Sequence, residues 1–478
     1  MNPLLLALSL LFVPSLVIAD AGGNLTATVS PDLTHHVIGY LSIAITVVAY
    51  IAAMSEDVTE LRKSKPMVFG SALVWFVICC YYAQHGQAKM AALAFESNLL
   101  AYIELLLFIL VSMTYINTME ECGIFRTLQI YLLSRRYTYK QLFWITGGLT
   151  FLLSTVISSM TVCLLMGSIV MVVGKREPKF ISLACVNIVC AANAGSTFSP
   201  LGGVSTLFVW QRNILSFGQF FLLAIPCLVN YLVPAVVMQF WAPNGKPVSV
   251  KDVVLLKRGT WRIIALFIVT LVLTVSGNVV LELPPAAGMM AGLGLLQLFI
   301  YYLIKTSGTR KEESGDAYSF FKLKTLRIDD PQGFDVFRNI GRVNWDTLLF
   351  FYGAMMIIGA MSFVGYLDAV AQFLFGQMSP TMANIAIGLS SAFIDNGTLM
   401  FAVLNMHPNL SSGQWLLLTL TLGVGGSLLA IGSGPGVGML GYMKGNYTFT
   451  GHMRWMPIIL LGYFASIVVH FWLNGEYF

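Results

Sequence analysis

Asp395 is the residue whose setting most restricts its chemistry. It stands in the apolar stretch 380–405, whose centre reads Ile-Asp-Asn-Gly-Thr. If that stretch lies in a membrane, an ionised carboxylate there costs about 2.5–3.5 kcal/mol on an insertion scale. No Lys or Arg occurs between 380 and 442 to pair with it. A cation or a proton is then its natural partner. The plain alternative is a carboxyl held neutral, or one that caps the helix following it. Neutral oxygens accompany it: Asn396, Thr398 and Ser433, with the Gly432 backbone, and from an earlier stretch Ser158, Ser159, Thr161, Ser196 and Thr197. Hard cations such as Na⁺ are held by this kind of oxygen set, and unwound helices add backbone carbonyls. For any one Ser or Thr the plain alternative is a hydrogen bond back to the carbonyl four residues earlier.

Composition places these residues in a bilayer. The chain has 478 residues, 57% hydrophobic and only 10% charged, with mean hydropathy +0.78. Soluble domains carry about 25% charged residues. A chain this poor in charge cannot cover itself with a solvated surface, which excludes a cytosolic enzyme, a disordered chain and a secreted disulfide scaffold. The seven cysteines form no CxxC pair and no Cys/His cluster. They read as small apolar packing residues, and no cofactor is expected. GSGPGVG (432–438) lacks the preceding strand and downstream acid of a nucleotide-binding loop. No Walker motif, hydrolase triad or nucleic-acid-binding pattern appears, so neither ATP nor nucleic acid is expected as a partner; the lipid bilayer is. His35 and His36 read as interfacial polarity at the outer end of the first span.

Apolar segments fall at 36–54, 67–83, 99–118, 141–173, 180–210, 216–241, 262–281, 286–304, 345–363, 380–405, 415–442 and 455–473. Residues 1–21 read as a signal peptide, or as an uncleaved helix, from the apolar run Leu4 to Ala19 and the small-residue motif Ala19-Asp20-Ala21. Two full crossings need about 40 residues, more than 141–173 or 380–405 supplies. Both read as re-entrant hairpins. Cytoplasmic loops collect Lys and Arg. With both hairpins re-entrant, 25 of the 27 Lys and Arg fall on one side, eight of them in the 305–344 loop. The mature N- and C-termini then lie outside, and the first hairpin enters from the cytoplasm, the second from outside.

The two hairpin regions repeat one pattern. Glu104 precedes Gly123 by 19 residues and Asp346 precedes Gly365 by 19; Ser158 precedes Ser196 by 38 and Asp395 precedes Ser433 by 38. The charge map puts Glu104 at the outer face and Asp346 at the inner, as accessory acids of opposed halves. The fold class is therefore an all-α polytopic membrane protein with inverted structural repeats, each with a re-entrant hairpin and a broken transmembrane helix. The spans 36–98 precede a first repeat core, 99–210, with hairpin 141–173 and broken helix 180–210. Linking spans and the cytoplasmic loop 305–344 make up 211–344. The second core is 345–442, with hairpin 380–405 and broken helix 415–442, followed by the last span, 455–473. The breaks are expected at Ala194–Gly203 and Gly423–Gly438. Paired interruptions of this kind are the sequence pointer to a transporter's binding site.

Over residues 34 to 474 the sequence resembles the NhaD-type sodium/proton antiporters of the ion transporter superfamily. The likeness rests on LRKSKP (61–66), MTYIN (113–117), QLFWITG (141–147), VNYLVPA (229–235), WDTLLFFYG (345–353), GQWLL (413–417) and GVGGSLLAIGS (423–433). The resemblance implies a bacterial inner-membrane homodimer. It would exchange cytoplasmic Na⁺ or Li⁺ for external H⁺ at sites formed by the hairpin tips and helix breaks. The sequence departs from the family pattern at four places. Ser158-Ser159-Met160-Thr161 stands where the first tip usually reads Asp-Asn-x-Thr. The acid usual near Gly203 is absent. Gly397-Thr398 replaces an Ile-Pro-type pair, and Gly434-Pro435 stands where small residues without proline are usual. Two other functions fit the same fold: a sodium-coupled symporter of an organic anion, whose relatives use neutral tips, and a non-transporting sensor or interaction protein. Asp395, a titratable group that an anion site does not need, favours cation exchange.

Overall fold

The computed structural model describes residues 32–135, 137–175, 177–247, 259–308 and 336–478. The expected signal segment, 1–21, lies outside the described residues, as does most of the 305–344 loop.

Among the described residues the regular structure is helical, and nine helices are long and apolar enough to cross a membrane. The fold opens with α1 (Val37–Met54), a single helical turn at Glu56–Thr59, α2 (Ser64–Gln84), α3 (Ala88–Glu121) and α4 (Ile124–Ser134). α3 has 34 residues and absorbs most of the loop expected at 84–98. Residues 88–96 are rich in Ala, Lys, Met, Leu and Glu, all strong helix formers, so the helix starts directly after the turn at Gly86.

Next come two short helices joined by a turn, α5 (Tyr139–Leu153) and α6 (Ser159–Val173), each of 15 residues. At 1.5 Å per residue each is about 22 Å long, less than the hydrocarbon thickness of about 30 Å. α5 starts at a reciprocal cap. Gln141 N–H donates to Thr138 Oγ1 (3.3 Å), and Thr138 N–H donates to Gln141 Oε1 (2.9 Å). α7 (Pro178–Thr197) and α8 (Val204–Gln211) follow, then α9 (Ala224–Met238), α10 (Thr260–Leu281) and α11 (Pro285–Gly308).

The second half opens with the short α12 (Val336–Gly341), α13 (Trp345–Val364) and α14 (Tyr366–Ala371). A second short pair is α15 (Pro380–Ser390) and α16 (Asn396–Asn405), followed by α17 (Ser412–Gly425) and α18 (Gly434–Tyr442). α19 (Phe449–Met453) and α20 (Met456–Asn474) complete the chain.

The two halves share a local device. α3 ends at Gly123 with φ +83°, and α13 ends at Gly365 with φ +102°. Both glycines take the left-handed conformation that lets a short helix start in a new direction. The 19-residue spacing therefore marks the same turn twice.

Burial separates centre from periphery. α7 is buried over 94% of its apolar window and α13 over 72%, whereas α1 and α10 are buried over 22%. α7 packs against α5, α6, α9, α17 and α18, so a broken helix forms the axis of the molecule. α13 packs on α2 and α3, and α9 packs on α20.

Both breaks are narrower than the sequence indicated. α7 stays helical through Thr197, so the first break is 198–203 and Ala194–Thr197 belong to the helix. The second is 426–433. One correspondence fails as a result. Ser196 precedes its break, whereas Ser433 is the last residue of its own and caps α18; the residue placed like Ser433 is Gly203, which precedes α8. The 38-residue spacing relates equivalent tips to non-equivalent serines, because the two segments between tip and break differ in length.

Candidate functional site

The hairpin tips are helix N-termini. Asp395 is the N-cap of α16: its Oδ2 accepts from Gly397 N–H (3.1 Å), Thr398 N–H (3.2 Å) and the Thr398 hydroxyl (3.4 Å). The capping role that stood as the plain alternative is thus present. It occupies one carboxylate oxygen, and among the described residues Oδ1 has no protein partner. The α16 N-terminus, with its amides and helix dipole, presents positive potential to this side chain. Tyr50 of α1 lies within electrostatic reach of it. Ser158 is the N-cap of α6 but makes no side-chain cap bond, so the first amides of α6 lack a cap of this kind.

A cavity of about 350 Å³ joins the tips and the breaks. Asp395, Asn396, Ser158, Ser159, Thr161, Ser196 and Ser433 line it, all drawn from the set expected from sequence. Four of the expected residues do not. Thr398 lies behind Asp395 and bonds to it. Gly432 packs its backbone on the hairpin: a Cβ there would meet the Ala392 carbonyl oxygen at 2.6 Å. Thr197 donates to the Asn193 carbonyl at 2.7 Å, the back-bond four residues earlier, and packs against Gly423. Glu104 is on α3, where Arg212 is the charge acting on it. Ser196 lines the cavity while donating to the Asn193 carbonyl (3.1 Å).

Asp346 also lines the cavity, as do Glu56, Lys63 and Arg342. The Ser64 hydroxyl donates to Asp346 Oδ1. Lys63 Nζ sits 4.7 Å from the centroid of the Phe350 ring, a cation–π contact. Arg342, Val343 and Asn344 close the expected 305–344 loop, so that loop is not wholly remote from the cavity. α12 brings them there. Asn339, buried on α12, donates to Glu121 Oε2 (2.9 Å) and Thr118 Oγ1 (3.2 Å) of α3, and its carbonyl accepts from Asn117 Nδ2 (2.9 Å).

Sequence reasoning passed over Asn193. This α7 residue is 2% exposed, lines the cavity, and donates through Nδ2 to Ser433 Oγ at 2.9 Å. Its signal was an amide three residues before Ser196 in an otherwise apolar run. Among the described residues no group of three His, Cys, Asp or Glu could hold a resident metal.

The family model described as citrate transporter matches residues 43–423. The Na(+)/H(+) antiporter NhaD of Halomonas elongata is 45% identical over 99% of this chain and 95% of its own length. The Vibrio cholerae protein of the same name is 47% identical over 94% of each chain. Sodium/proton antiporter 1 of Arabidopsis thaliana is 26% identical over 78% of this chain and 62% of its own. With a family match across most of the sequence and near-full-length relatives far above 30% identity, the chain belongs to the citrate-transporter family and, within that likeness, to the NhaD-type Na⁺/H⁺ antiporters.

Proposed function

We propose that this chain is a secondary transporter of the bacterial inner membrane, not an enzyme, that exchanges Na⁺ (or Li⁺) for H⁺ at Asp395. The names of its near-full-length relatives support sodium/proton exchange. The observation that carries the residue assignment is the state of Asp395: one oxygen caps α16, and the carboxylate faces a cavity lined by neutral oxygens from both halves. A carboxylate that takes a proton or a cation, but not both, couples the two by competition. Alternating exposure of the cavity completes the cycle.

Re-entry of α5–α6 and α15–α16 is part of this reading, supported by their lengths and by both tips lining one cavity. Inversion of the two halves is supported by the loop charges and by the paired Gly123 and Gly365 turns. Glu56, Lys63 and Arg342 belong to loops that the charge map assigns to the cytoplasm, so the cavity corresponds to an inward-open form. A homodimer with both termini outside remains part of the proposal through the family resemblance.

A second reading, sodium-coupled symport of an organic anion, draws on Lys63, Arg342 and the uncapped α6 start around the same cavity. Everted vesicles separate the two. Na⁺- and Li⁺-dependent collapse of a preformed ΔpH, lost in Asp395→Asn, supports exchange. Na⁺-dependent carboxylate uptake without such collapse rejects it.

A further inference from the structure

A helix break leaves carbonyl oxygens without the amides that a continuous helix would supply, and inside a membrane protein another group must meet them. In the 426–433 break a side chain does so at Ser427. His452 Nε2 lies 2.8 Å from the Ser427 carbonyl oxygen. His452 belongs to α19, in the turn between α18 and α20, and has no exposed surface. Its Nδ1 lies 2.7 Å from the Tyr447 hydroxyl, itself buried. A carbonyl can only accept, so Nε2 carries the hydrogen, and in the neutral ring Nδ1 accepts from Tyr447. Burial favours that neutral ring, pushing the imidazole down to about 4.

The same break is anchored at its other end. Ser433 Oγ accepts from Gly436 N–H (3.4 Å), which caps α18, and from Asn193 Nδ2 (2.9 Å) across the cavity wall. Ser427 itself donates to the Val424 carbonyl (2.6 Å) and faces Cys190 of α7. The unwound segment is thus held between a cavity-side bond to Asn193 and a bond to the turn behind it.

We infer that His452 is a positioning residue for the cation site: its Nε2–H bond to Ser427 fixes the 426–433 segment, and with it Ser433, which lines the same cavity as Asp395. The inference rests on the proposed exchange at Asp395. His452 does not line the cavity and touches no transported ion, so its effect must appear in how well Na⁺ is held.

The test is Na⁺-dependent ΔpH collapse in everted vesicles across a range of Na⁺ concentrations, for the wild-type protein and for His452→Ala, His452→Gln and Tyr447→Phe. His452→Ala removes the donor, and the apparent KM for Na⁺ should rise about fivefold or more, the scale of one buried hydrogen bond, with a smaller change in maximal rate. His452→Gln can present an amide N–H to the same carbonyl and should return KM to within about twofold of wild type. If His452→Ala fails to insert, Tyr447→Phe decides. It keeps both rings and removes the bond that orients the imidazole from its Nδ1 side, and an unchanged KM there overturns the inference. An unchanged KM in His452→Ala, or equal impairment in the Ala and Gln variants, overturns it too, the latter assigning His452 to packing alone. Wild-type vesicles with no Na⁺-dependent ΔpH collapse would instead overturn the exchange reading, and the inference with it.

Discussion

Asn193 of the first broken helix and Ser433 of the second, 240 residues apart in sequence, are joined by a hydrogen bond of 2.9 Å from amide to hydroxyl. The bond ties the two halves together at the wall of the cavity that Asp395 faces. Both residues are nearly fully buried, so the donor has no water to replace its partner. Asn193→Ala should raise the apparent KM for Na⁺ and destabilise the protein by about 1–3 kcal/mol, the cost of an unmet buried group. The double variant Asn193→Ala/Ser433→Ala should cost less than the sum of the singles. Additive effects on melting temperature in detergent would show that the two side chains act independently.

Asp395→Asn is a clean substitution because asparagine caps a helix about as well as aspartate. The carbonyl oxygen of the introduced amide would keep the bonds to the α16 amides while the titratable group disappears. The variant should insert at wild-type levels and lose Na⁺-dependent ΔpH collapse altogether. Asp395→Ala should lose transport and about 1 kcal/mol of stability besides. Wild-type exchange by Asp395→Asn would remove Asp395 from the mechanism.

With Ser158 and Ser159 at the first tip, Asp395 is the one carboxylate that the two tips supply to the cavity, which Glu56 and Asp346 also line, and the proposed exchange uses Asp395 alone. A single competing site moves one cation against one proton. Exchange should then be electroneutral, and its rate in proteoliposomes should not change when valinomycin and K⁺ impose or collapse a membrane potential. Ser158→Asp supplies the missing side-chain cap of α6 and a second acid facing the cavity. It should fold and make transport sensitive to potential. A potential-dependent wild type would point to a second titrating group.

Arg342 lines the cavity from the end of the segment 305–344. A positive charge about 10 Å from an entering cation, in water, opposes it by roughly 0.4 kcal/mol, a factor of about 2. Arg342→Gln should lower the apparent KM for Na⁺ by about that factor at low ionic strength. The difference should fade when choline chloride raises ionic strength to about 0.15 M. An effect that persists at high salt would mean that Arg342 acts through packing.

His452 gives stability a pH dependence whose sign is fixed. Its ordinary value of 6.5 applies when unfolded, and burial holds it to about 4 in the fold. Between those values the unfolded chain binds the extra proton, so this contribution is complete above 6.5 and is lost as pH falls through about 4. The full loss is at most about 3 kcal/mol. Tyr447, held protonated well above its ordinary range by burial, does not titrate there. The melting temperature of the wild-type protein should fall between pH 6.5 and 4.5 by more than that of His452→Gln. Parallel curves would exclude His452 as the source.

Local hydrogen-bond competition was written in adjacent residues. Thr138 with Gln141, Ser379 before Pro380, Ser411 before α17 and Asp395 before α16 all cap helices in the structure. A short polar side chain next to free amides has its partner within three residues, so these caps are local, although Ser158 before α6 makes none. The apolar stretches fixed the helices for the same reason, and the left-handed Gly123 and Gly365 made the repeated turn legible. Tertiary structure alone decided which distant polar groups meet. Ser196 and Ser433 share a spacing from their tips, yet one precedes its break and the other ends its own, because spacing counts residues and not the path they take. Asn193 looked like one amide in an apolar run until α7 packed beside α18. Arg342 looked like loop charge until Asn339 docked α12 on α3, and His452 became a partner of Ser427 only because the turn after α18 folds back on the break. Each of these contacts joins elements whose juxtaposition is set by the packing of buried faces, and no local pattern encodes that packing.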